Sequence, residues 1–416
     1  MKIKLLNWLI LIILFLSIPI FAFAEDEDYD LYVFSSFAED SSKLDVAPDI
    51  NSRHSVILDR NSKTIIYGKK ENEICKMAST TKIMTCLVVL ENSNLDDIVT
   101  VSAKAANTGG SRLGLSKGDK ITVKNLLYGL MLKSGNDAAV ALAEHIGGSV
   151  ENFATMMNTK AKELNLSSTH FTSPHGLDDD NHYTTAYELA MLSDYALSNK
   201  RFADIVKTNN YTIIQNGYPK SLNNTNELLG SFEGIYGIKT GFTNGANRCL
   251  VTACRRGDLD VICVVLGCDT KKDRTHDTVK LLNYIFQNYS VVNVKDIIEK
   301  DFKDWLDEHQ NSFVINKGLS QKIELKLDEN DYKFSSISVN KSKIDKISSN
   351  ISFTSQFEAP LQNNTTIGKI SLEIDGINYY SIDILNSNSI NKKNCFDYLL
   401  YFFKNYLNFF NNIGYN

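Results

Sequence analysis

The chain has 416 residues, a formal net charge of -5 and 43% hydrophobic residues. This length allows two or three domains, and the composition is that of a globular protein. The mildly acidic charge gives no reason to expect nucleic-acid binding.

The first 24 residues have the pattern of a secretory signal peptide. Lys2 and Lys4 precede an apolar run over residues 5–21, and Ala22-Phe23-Ala24 provides a small-x-small cleavage site. We therefore predict an exported protein from which residues 1–24 are removed; an uncleaved membrane anchor is the alternative. Residues 25–49 are acidic and polar, which predicts a linker.

Residues 76–90 predict a largely apolar, buried helix that starts near Ser79. Residues three apart share one face of a helix, so the amine of Lys82 is expected beside the Ser79 hydroxyl. Burial lowers the pKa of a lysine, and a neutral Lys82 can accept the serine proton, which makes Ser79 a nucleophile. The alternative is a helix-capping serine followed by a lysine that extends to solvent.

Ser134-Gly135-Asn136 lies between two segments with helical patterns, residues 122–132 and 137–146. The second segment ends in two glycines, a helix-termination signal, so the motif is predicted to join a helical hairpin. In acyl transfer Ser134 would relay a proton to the leaving amine, and Asn136 would bind the substrate or Lys82. A simple capping turn is the alternative, because these residue types favour turns.

Lys239-Thr240-Gly241 lies in a predicted strand, residues 234–243. Lys239 and Thr240 suit a substrate carboxylate, and Gly241 lets a ligand approach the strand backbone. The alternative is an edge-strand lysine that protects against aggregation. Each motif alone is weak, but the three in this order, on compatible elements, predict acyl transfer through a serine ester.

Seven cysteines in an exported chain suggest disulfides, but seven is an odd number. A turn at Gly257-Asp258 is predicted to join two strands into a hairpin, residues 248–255 and 261–266. Cys249 and Cys254 lie five residues apart in the first strand, and Cys263 and Cys268 repeat this spacing in the second. An odd offset places each pair on opposite faces, so we predict buried free thiols. A metal cluster is also disfavoured by its spacing; its candidate ligands are His170, His175, His182 and residues 178–180. No metal and no cofactor is predicted.

The region after residue 290 predicts a separate domain. A short helical stretch is followed by alternating apolar and polar residues up to residue 385, which indicates a small β domain over residues 291–385. This region contains no convergent set of catalytic residues.

Residues 386–416 predict an amphipathic tail that lies on a membrane surface. At 100° per residue, one side is polar: Lys393, Asn394, Asp397, Lys404, Asn405, Asn408 and Asn411. The other side is apolar: Phe396, Leu399, Leu400, Phe402, Phe403, Tyr406, Leu407, Phe409 and Phe410. The polar interruptions argue against a spanning helix. A helix that packs on its own catalytic domain or on a partner is the alternative.

These sequences resemble the low-molecular-weight penicillin-binding proteins of the D-alanyl-D-alanine carboxypeptidase type, serine peptidase family S11. The resemblance covers about residues 50–290, the predicted catalytic domain, and continues more weakly to about residue 385. It rests on these segments: 77–85, 132–139, 174–178, 182–186 and 237–243. It implies an α+β fold with a β-lactamase/transpeptidase-like antiparallel sheet flanked by helices, plus a small C-terminal all-β domain.

The same resemblance implies roles for individual residues. Ser79 would form an acyl-enzyme with the penultimate D-alanine, and the backbone N–H groups of Ser79 and Phe242 would form the oxyanion hole. Arg274 lies where the family places an arginine near the substrate's terminal carboxylate. The predicted catalytic residues are Ser79, Lys82, Ser134 and Asn136. The predicted substrate-binding residues are Lys239, Thr240, Gly241, Phe242 and Arg274.

The predicted function is a serine-type D-Ala-D-Ala carboxypeptidase that removes the terminal D-alanine from peptidoglycan pentapeptides and is acylated by β-lactams. We expect it at the outer face of the bacterial cytoplasmic membrane or in the cell wall. A D,D-endopeptidase is one alternative, although such relatives usually lack the C-terminal β domain. A non-catalytic penicillin-binding sensor or scaffold is another.

A β-lactamase is disfavoured by two departures from the pattern of those enzymes. Gly135 replaces the aspartate that is usual in their second motif. Glu163-Leu164-Asn165 is similar to the end of their deacylation loop but lacks its spacing. We therefore expect the chain to react with penicillin and to release it slowly.

Overall fold

The computed structural model describes residues 46–413, with side chains as far as residue 407. The predicted signal peptide and residues 25–45 of the predicted linker lie outside this range. So do the side chains of Asn408, Phe409, Phe410 and Asn411 in the predicted tail. Those predictions stay predictions.

The secondary structure alternates between helices and strands. The helices of the described residues are α1 (Lys82–Asn92), α2 (Ala103–Ala106), α3 (Val123–Leu132), α4 (Asn136–Gly147), α5 (Val150–Glu163), α6 (Ala186–Ser198), α7 (Lys200–Val206), α8 (Lys271–Asn288), α9 (Val294–His309) and α10 (Cys395–Ile413). The strands are β1 (His54–Asp59), β2 (Ile65–Lys69), β3 (Ile98–Thr100), β4 (Lys120–Thr122), β5 (Asn210–Gln215), β6 (Tyr218–Asn223), β7 (Ile235–Thr243), β8 (Asn247–Arg256), β9 (Leu259–Cys268), β10 (Tyr289–Asn293), β11 (Val314–Asn316), β12 (Leu325–Leu327), β13 (Ser336–Asn340), β14 (Ile347–Phe353), β15 (Gln356–Glu358), β16 (Thr366–Ile374) and β17 (Ile377–Asn386).

The main sheet has the strand order β2-β1-β9-β8-β7, and all of its neighbouring strands are antiparallel. The predicted hairpin between β8 and β9 is present, with Gly257 in its turn at a φ of +57°. Strand β9 is buried along its whole length, which fits its nearly continuous apolar sequence. Strand β7 forms one edge of the sheet.

Helices cover both faces of this sheet. Successive side chains of a strand point to opposite faces, and Val264 packs into the cluster formed with the buried helix α1. Its neighbour Cys263 lies on the other face, where burial chiefly raises the pKa of the thiol and the Asp277 carboxylate of α8 is close enough to contribute. The predicted antiparallel sheet flanked by helices is therefore confirmed.

A second hydrophobic core lies in the C-terminal region. A four-stranded sheet of order β12-β17-β16-β14 packs with α9, and its core includes Ile298, Ile370, Ile382 and Ile390. The predicted C-terminal β domain is thus present, with one helix as part of its core. Its predicted end at residue 385 stays a prediction, although the buried Ile390 belongs to the same core.

The seven cysteines are free thiols. Five are buried, Cys75 is partly buried and Cys395 is exposed. Burial raises the pKa of Cys249 to about 11, so this thiol stays protonated at neutral pH and packs as a small apolar group.

The tail helix α10 exposes most of its aromatic side chains. Phe396, Phe402 and Leu407 are each more than half exposed. Among residues 46–413, no helix combines the length and the apolarity needed to cross a membrane.

Candidate active site

Ser79 lies in a single 3-10 turn, Ala78–Thr81, immediately before α1. The sequence predicted a helix from about this residue, and the α-helix proper begins at Lys82. Ala78 has a φ of +48°, a left-handed conformation that is uncommon outside glycine. The Thr81 hydroxyl donates to the carbonyl of Ala78 at 2.7 Å and so holds this turn from within.

Lys82 is fully buried and makes three contacts through its amine. Nζ lies 2.8 Å from Ser79 Oγ, 2.7 Å from Asn136 Oδ1 and 2.9 Å from the carbonyl oxygen of His175. Burial, together with repulsion from Lys239, lowers the pKa of Lys82 well below its usual value.

The neutral form of Lys82 fits these three contacts. A neutral amine has two N–H donors and one lone pair. Asn136 Oδ1 and the His175 carbonyl can only accept hydrogen bonds, so they take the two N–H groups. The lone pair is left for the Ser79 hydroxyl, and an amine in this position can accept the serine proton.

The second motif joins two helices, as predicted. Thr122 caps α3, Ser134 is buried in the turn with a φ of +58°, and α4 begins at Asn136. The Asn136 side chain bridges the site, because Nδ2 donates to the Gly109 carbonyl at 2.8 Å while Oδ1 accepts from Lys82. Of the two predicted partners of Asn136, the structure therefore shows Lys82.

Asp137, which sequence analysis did not single out, anchors the loop beside this motif. Its buried carboxylate accepts hydrogen bonds from the backbone N–H groups of Leu113, Gly114 and Leu115 at 2.7–3.0 Å. Its charge also opposes the lowering of the Lys82 pKa. An aspartate directly after the second motif was visible in the sequence, but its long-range partners were not.

The segment around His175, which sequence analysis considered for its family resemblance and as a possible metal ligand, packs against the turn Ala78–Thr81 that carries Ser79, here called the nucleophile turn. Gly176 has a φ of +83°. A β-carbon at this position would lie 2.0 Å from the Ala78 carbonyl oxygen, so only glycine fits this close approach.

The histidines considered as metal ligands have other partners. His182 Nε2 lies 2.8 Å from Thr81 Oγ1, and Nδ1 accepts the backbone N–H of Thr172 at 3.1 Å. Burial lowers the pKa of His182 to about 4 and that of His175 to about 3, so both rings are neutral. No group of three or more His, Cys, Asp or Glu side chains suited to a metal occurs among the described residues.

Lys239 is buried although β7 is an edge strand. Its Nζ donates to the Thr240 carbonyl at 2.9 Å, and burial together with the charge of Arg274 lowers its pKa to about 7. A lysine exposed along the strand edge would discourage pairing with another chain, whereas the Lys239 side chain is buried. Thr240 Oγ1 lies 2.7 Å from Thr225 Oγ1.

Arg274 lies in the first turn of α8 and is only 4% exposed. Its charge is close enough to Lys239 to lower the lysine pKa, so the structure brings these two predicted carboxylate-binding residues together. Arg274 Nη2 donates to Glu227 Oε1 at 2.8 Å. Glu227 was not singled out from the sequence, because a loop glutamate gives no local signal of such a pairing.

Gly241 packs against the nucleophile turn itself. A β-carbon here would lie 3.2 Å from the Ala78 β-carbon, the Met77 carbonyl oxygen and the Ser79 nitrogen. The close approach was predicted for a ligand, and the structure shows it for the backbone that carries Ser79. The next residue, Phe242, is half exposed, and the Arg248 guanidinium lies 3.8 Å from its ring centroid.

The glutamate of the disfavoured deacylation sequence has a different partner. Glu163 lies at the end of α5 and forms an ion pair with Lys160 at 2.6 Å.

Two sequence profiles match the chain. That of the D-alanyl-D-alanine carboxypeptidases, peptidase family S11, matches residues 41–270, which is more than half of the chain. The chain belongs to this family. The profile of the C-terminal domain of penicillin-binding protein 5 matches residues 313–392.

Individual relatives agree with this assignment. The chain is 32% identical over 348 residues to the D-alanyl-D-alanine carboxypeptidase DacF of Bacillus subtilis, covering 82% of this chain and 86% of that protein. The structure of DacD from Francisella tularensis aligns with a TM-score of 0.69 at 25% identity, over 84% of this chain and 95% of that one. The structure of penicillin-binding protein 5 from Haemophilus influenzae aligns with a TM-score of 0.68 at 27% identity. This alignment covers 83% of this chain and 99% of that one.

Proposed function

We propose that the chain is a serine-type D-Ala-D-Ala carboxypeptidase that removes the terminal D-alanine from peptidoglycan stem peptides. The observation that carries this proposal is the buried Lys82 amine, 2.8 Å from Ser79 Oγ and with its other two partners restricted to accepting hydrogen bonds. The family membership and the names of the relatives support the same activity.

Acylation starts from the neutral amine of Lys82. Ser79 Oγ attacks the carbonyl carbon of the penultimate D-alanine, and Lys82 takes the hydroxyl proton. The backbone N–H groups of Ser79 and Phe242 stabilise the oxyanion. Ser134 relays this proton from Lys82 to the leaving amine, so that free D-alanine departs and Lys82 is neutral again.

The terminal carboxylate of the substrate fixes the register of the peptide. Lys239 and Arg274 are neighbouring and buried, and a bound carboxylate favours the charged form of Lys239. Thr240 adds a hydroxyl at the same strand end. Charge-assisted hydrogen bonds of this kind are the strong ones. The pocket therefore selects peptides with a free C-terminal carboxylate over internal peptide bonds, which favours the carboxypeptidase over the endopeptidase.

Deacylation reverses these roles. Water attacks the Ser79 ester while Lys82, again neutral, accepts its proton. Lys82 then returns this proton to Ser79 Oγ as the ester bond breaks, which restores the hydroxyl and releases the tetrapeptide. A β-lactam acylates Ser79 in the same way, but its amine stays tethered to the acyl group and keeps its place in the site. Because Glu163 is paired with Lys160, we expect this penicilloyl ester to be hydrolysed slowly.

We also infer that the enzyme is exported and works at the outer face of the cytoplasmic membrane. The leader pattern of residues 1–24 supports export. The exposed aromatic residues of α10 support an in-plane position of the tail at the lipid surface, where aromatic rings and leucines partition favourably. The domain boundaries proposed above, 50–290 and 291–385, place the β domain between the catalytic domain and this tail.

Release of D-alanine from a pentapeptide tests the proposal. The purified chain without its leader is incubated with a pentapeptide ending in D-Ala-D-Ala, and free D-alanine and tetrapeptide are quantified beside a Ser79→Ala control. We expect one D-alanine per tetrapeptide, and none from the variant. Cleavage of a cross-linked dimer without release from the pentapeptide would indicate the endopeptidase, and penicillin binding without either product would indicate a sensor.

A further inference from the structure

Three consecutive loop residues run beside β7 towards the carboxylate pocket. The Thr225 hydroxyl lies 2.7 Å from that of Thr240, and Asn226 Nδ2 donates to the Gly237 carbonyl at 3.2 Å. Both contacts fix the loop to the strand that carries Lys239. The third residue, Glu227, is thereby held beside the first turn of α8.

Glu227 binds three donors of that turn. Its carboxylate accepts from Arg274 Nη2 at 2.8 Å and from the Thr275 hydroxyl at 2.5 Å, and it forms an ion pair with Lys271 at 3.1 Å. Burial alone would raise the pKa of Glu227, but the Arg274 charge and the other donors lower it below its usual value. Glu227 is therefore an anion at neutral pH.

Arg274 keeps one donor without a protein partner. Its Nε is buried, and no acceptor among the described residues lies within hydrogen-bonding distance of it. A buried guanidinium N–H without an acceptor is costly. The guanidinium is thus held at Nη2 and lacks an acceptor at the buried Nε, on a side chain that is 95% buried next to Lys239.

We propose that Glu227 is a positioning residue for the substrate's terminal carboxylate. By fixing Nη2 it prevents the guanidinium from turning away from the like charge of Lys239, and it keeps the two side chains together for the carboxylate. The incoming carboxylate then finds both cations already in place, so that little side-chain ordering remains at the moment of binding.

This inference rests on the proposed carboxypeptidase function and predicts an effect on one kinetic parameter. Because Glu227 acts on carboxylate binding and not on Ser79 or Lys82, its loss should raise KM and leave kcat nearly unchanged. The effect should depend on the carboxylate. A pentapeptide whose last D-alanine is a C-terminal amide lacks the group that Arg274 binds, so its cleavage should be insensitive to Glu227.

The experiment compares Glu227→Ala, Glu227→Gln and Glu233→Gln with wild type on the free-acid and amide pentapeptides. Glutamine retains an acceptor for Arg274 and Thr275, whereas alanine does not. Glu233 lies in the same loop with an exposed side chain, so its variant is a charge-matched control. We expect Glu227→Ala to raise KM for the free acid about tenfold, with kcat within about threefold and the amide unaffected. Glu227→Gln should recover most of the loss, and Glu233→Gln should match wild type.

Other results would overturn the inference. A lower KM in both Glu227 variants would show that Glu227 competes with the substrate carboxylate. Equal losses on the acid and the amide, or a fall in kcat, would indicate general disruption of the site, which a melting curve would register independently. A wild-type enzyme that releases no D-alanine would instead refute the proposed function.

Discussion

Adding a methyl group at Gly241 should impair acylation without unfolding the protein. The new carbon would lie 3.2 Å from three atoms of the nucleophile turn, one of which is the Ser79 nitrogen. That separation is a few tenths of an ångström shorter than ordinary contact, so β7 and the turn have to move apart by about that amount. Both proposed oxyanion donors lie across this contact, the N–H of Ser79 on the turn and that of Phe242 on β7.

The size of the effect follows from this displacement. Removing an oxyanion donor outright costs about 10²–10³-fold in rate, and a misplacement of about 1 Å costs about 10²-fold. A shift of a few tenths of an ångström at both donors predicts a loss of roughly 10–100-fold in Gly241→Ala. Overpacking a buried site costs about 1–3 kcal/mol of stability, which leaves a folded enzyme to assay.

The assay is the second-order rate constant for acylation by a fluorescent penicillin, measured over a range of pH beside the melting temperature. Gly109→Ala is the matched control, because the same methyl group there meets no heavy atom within 4 Å. Since Lys82 is untouched in Gly241→Ala, the pH at which the rate rises should not move. A folded Gly241→Ala that acylates at the wild-type rate would refute the role given to this contact.

Three further predictions follow from the buried lysines and the tail. The acylation rate of wild type should rise with pH through a midpoint well below 10.5 as Lys82 loses its proton, and Lys82→Met should not acylate; a flat pH profile would remove Lys82 as the base. Lys239→Met should cut cleavage of carboxylate-bearing peptides by about 10–100-fold, as expected for a charged hydrogen bond of about 1.5–3 kcal/mol. The pKa of Lys239 is about 7 in the folded state and 10.5 when unperturbed, so between these values the unfolded chain binds more protons and stability rises with pH. At low pH the buried, protonated Lys239 therefore destabilises the folded state, by at most roughly 5 kcal/mol. The Lys239→Met variant lacks this cost, so its melting temperature should exceed that of wild type at pH 6 but not at pH 10; a lower melting temperature at pH 6 would contradict this. Truncation after Lys393, which retains the core residue Ile390, should release an active enzyme from membranes, and sedimentation of the truncated protein with lipid vesicles would place the anchor elsewhere.

Local sequence patterns predicted several contacts of the candidate site. The i, i+3 spacing brought Lys82 to Ser79, and turn chemistry placed Asn136 at the start of α4. Both features are local, because each depends on residues within one or two turns of a helix. The hairpin of β8 and β9 followed from its apolar segments and the Gly257 turn for the same reason.

The parts that sequence reasoning missed depend on long-range packing. The His175 carbonyl reaches Lys82 from 93 residues away, and the Asp137 carboxylate binds a loop 22–24 residues earlier. A carbonyl has no sequence signature, and a loop carboxylate such as Glu227 shows its partner only when α8 packs beside it. The left-handed Ala78 was also beyond reach, because the glycine that packs against its carbonyl, Gly176, lies far along the chain.

The most direct test of the account is to locate the covalent adduct of penicillin. Intact-mass analysis followed by peptide mapping should find one penicilloyl group per molecule on Ser79, stable for much longer than a catalytic turnover. Ser79→Ala, with Lys82 and Asn136 intact, should carry none. A persistent adduct in Ser79→Ala, or a wild-type adduct on any other residue, would contradict the assignment of Ser79 as the nucleophile.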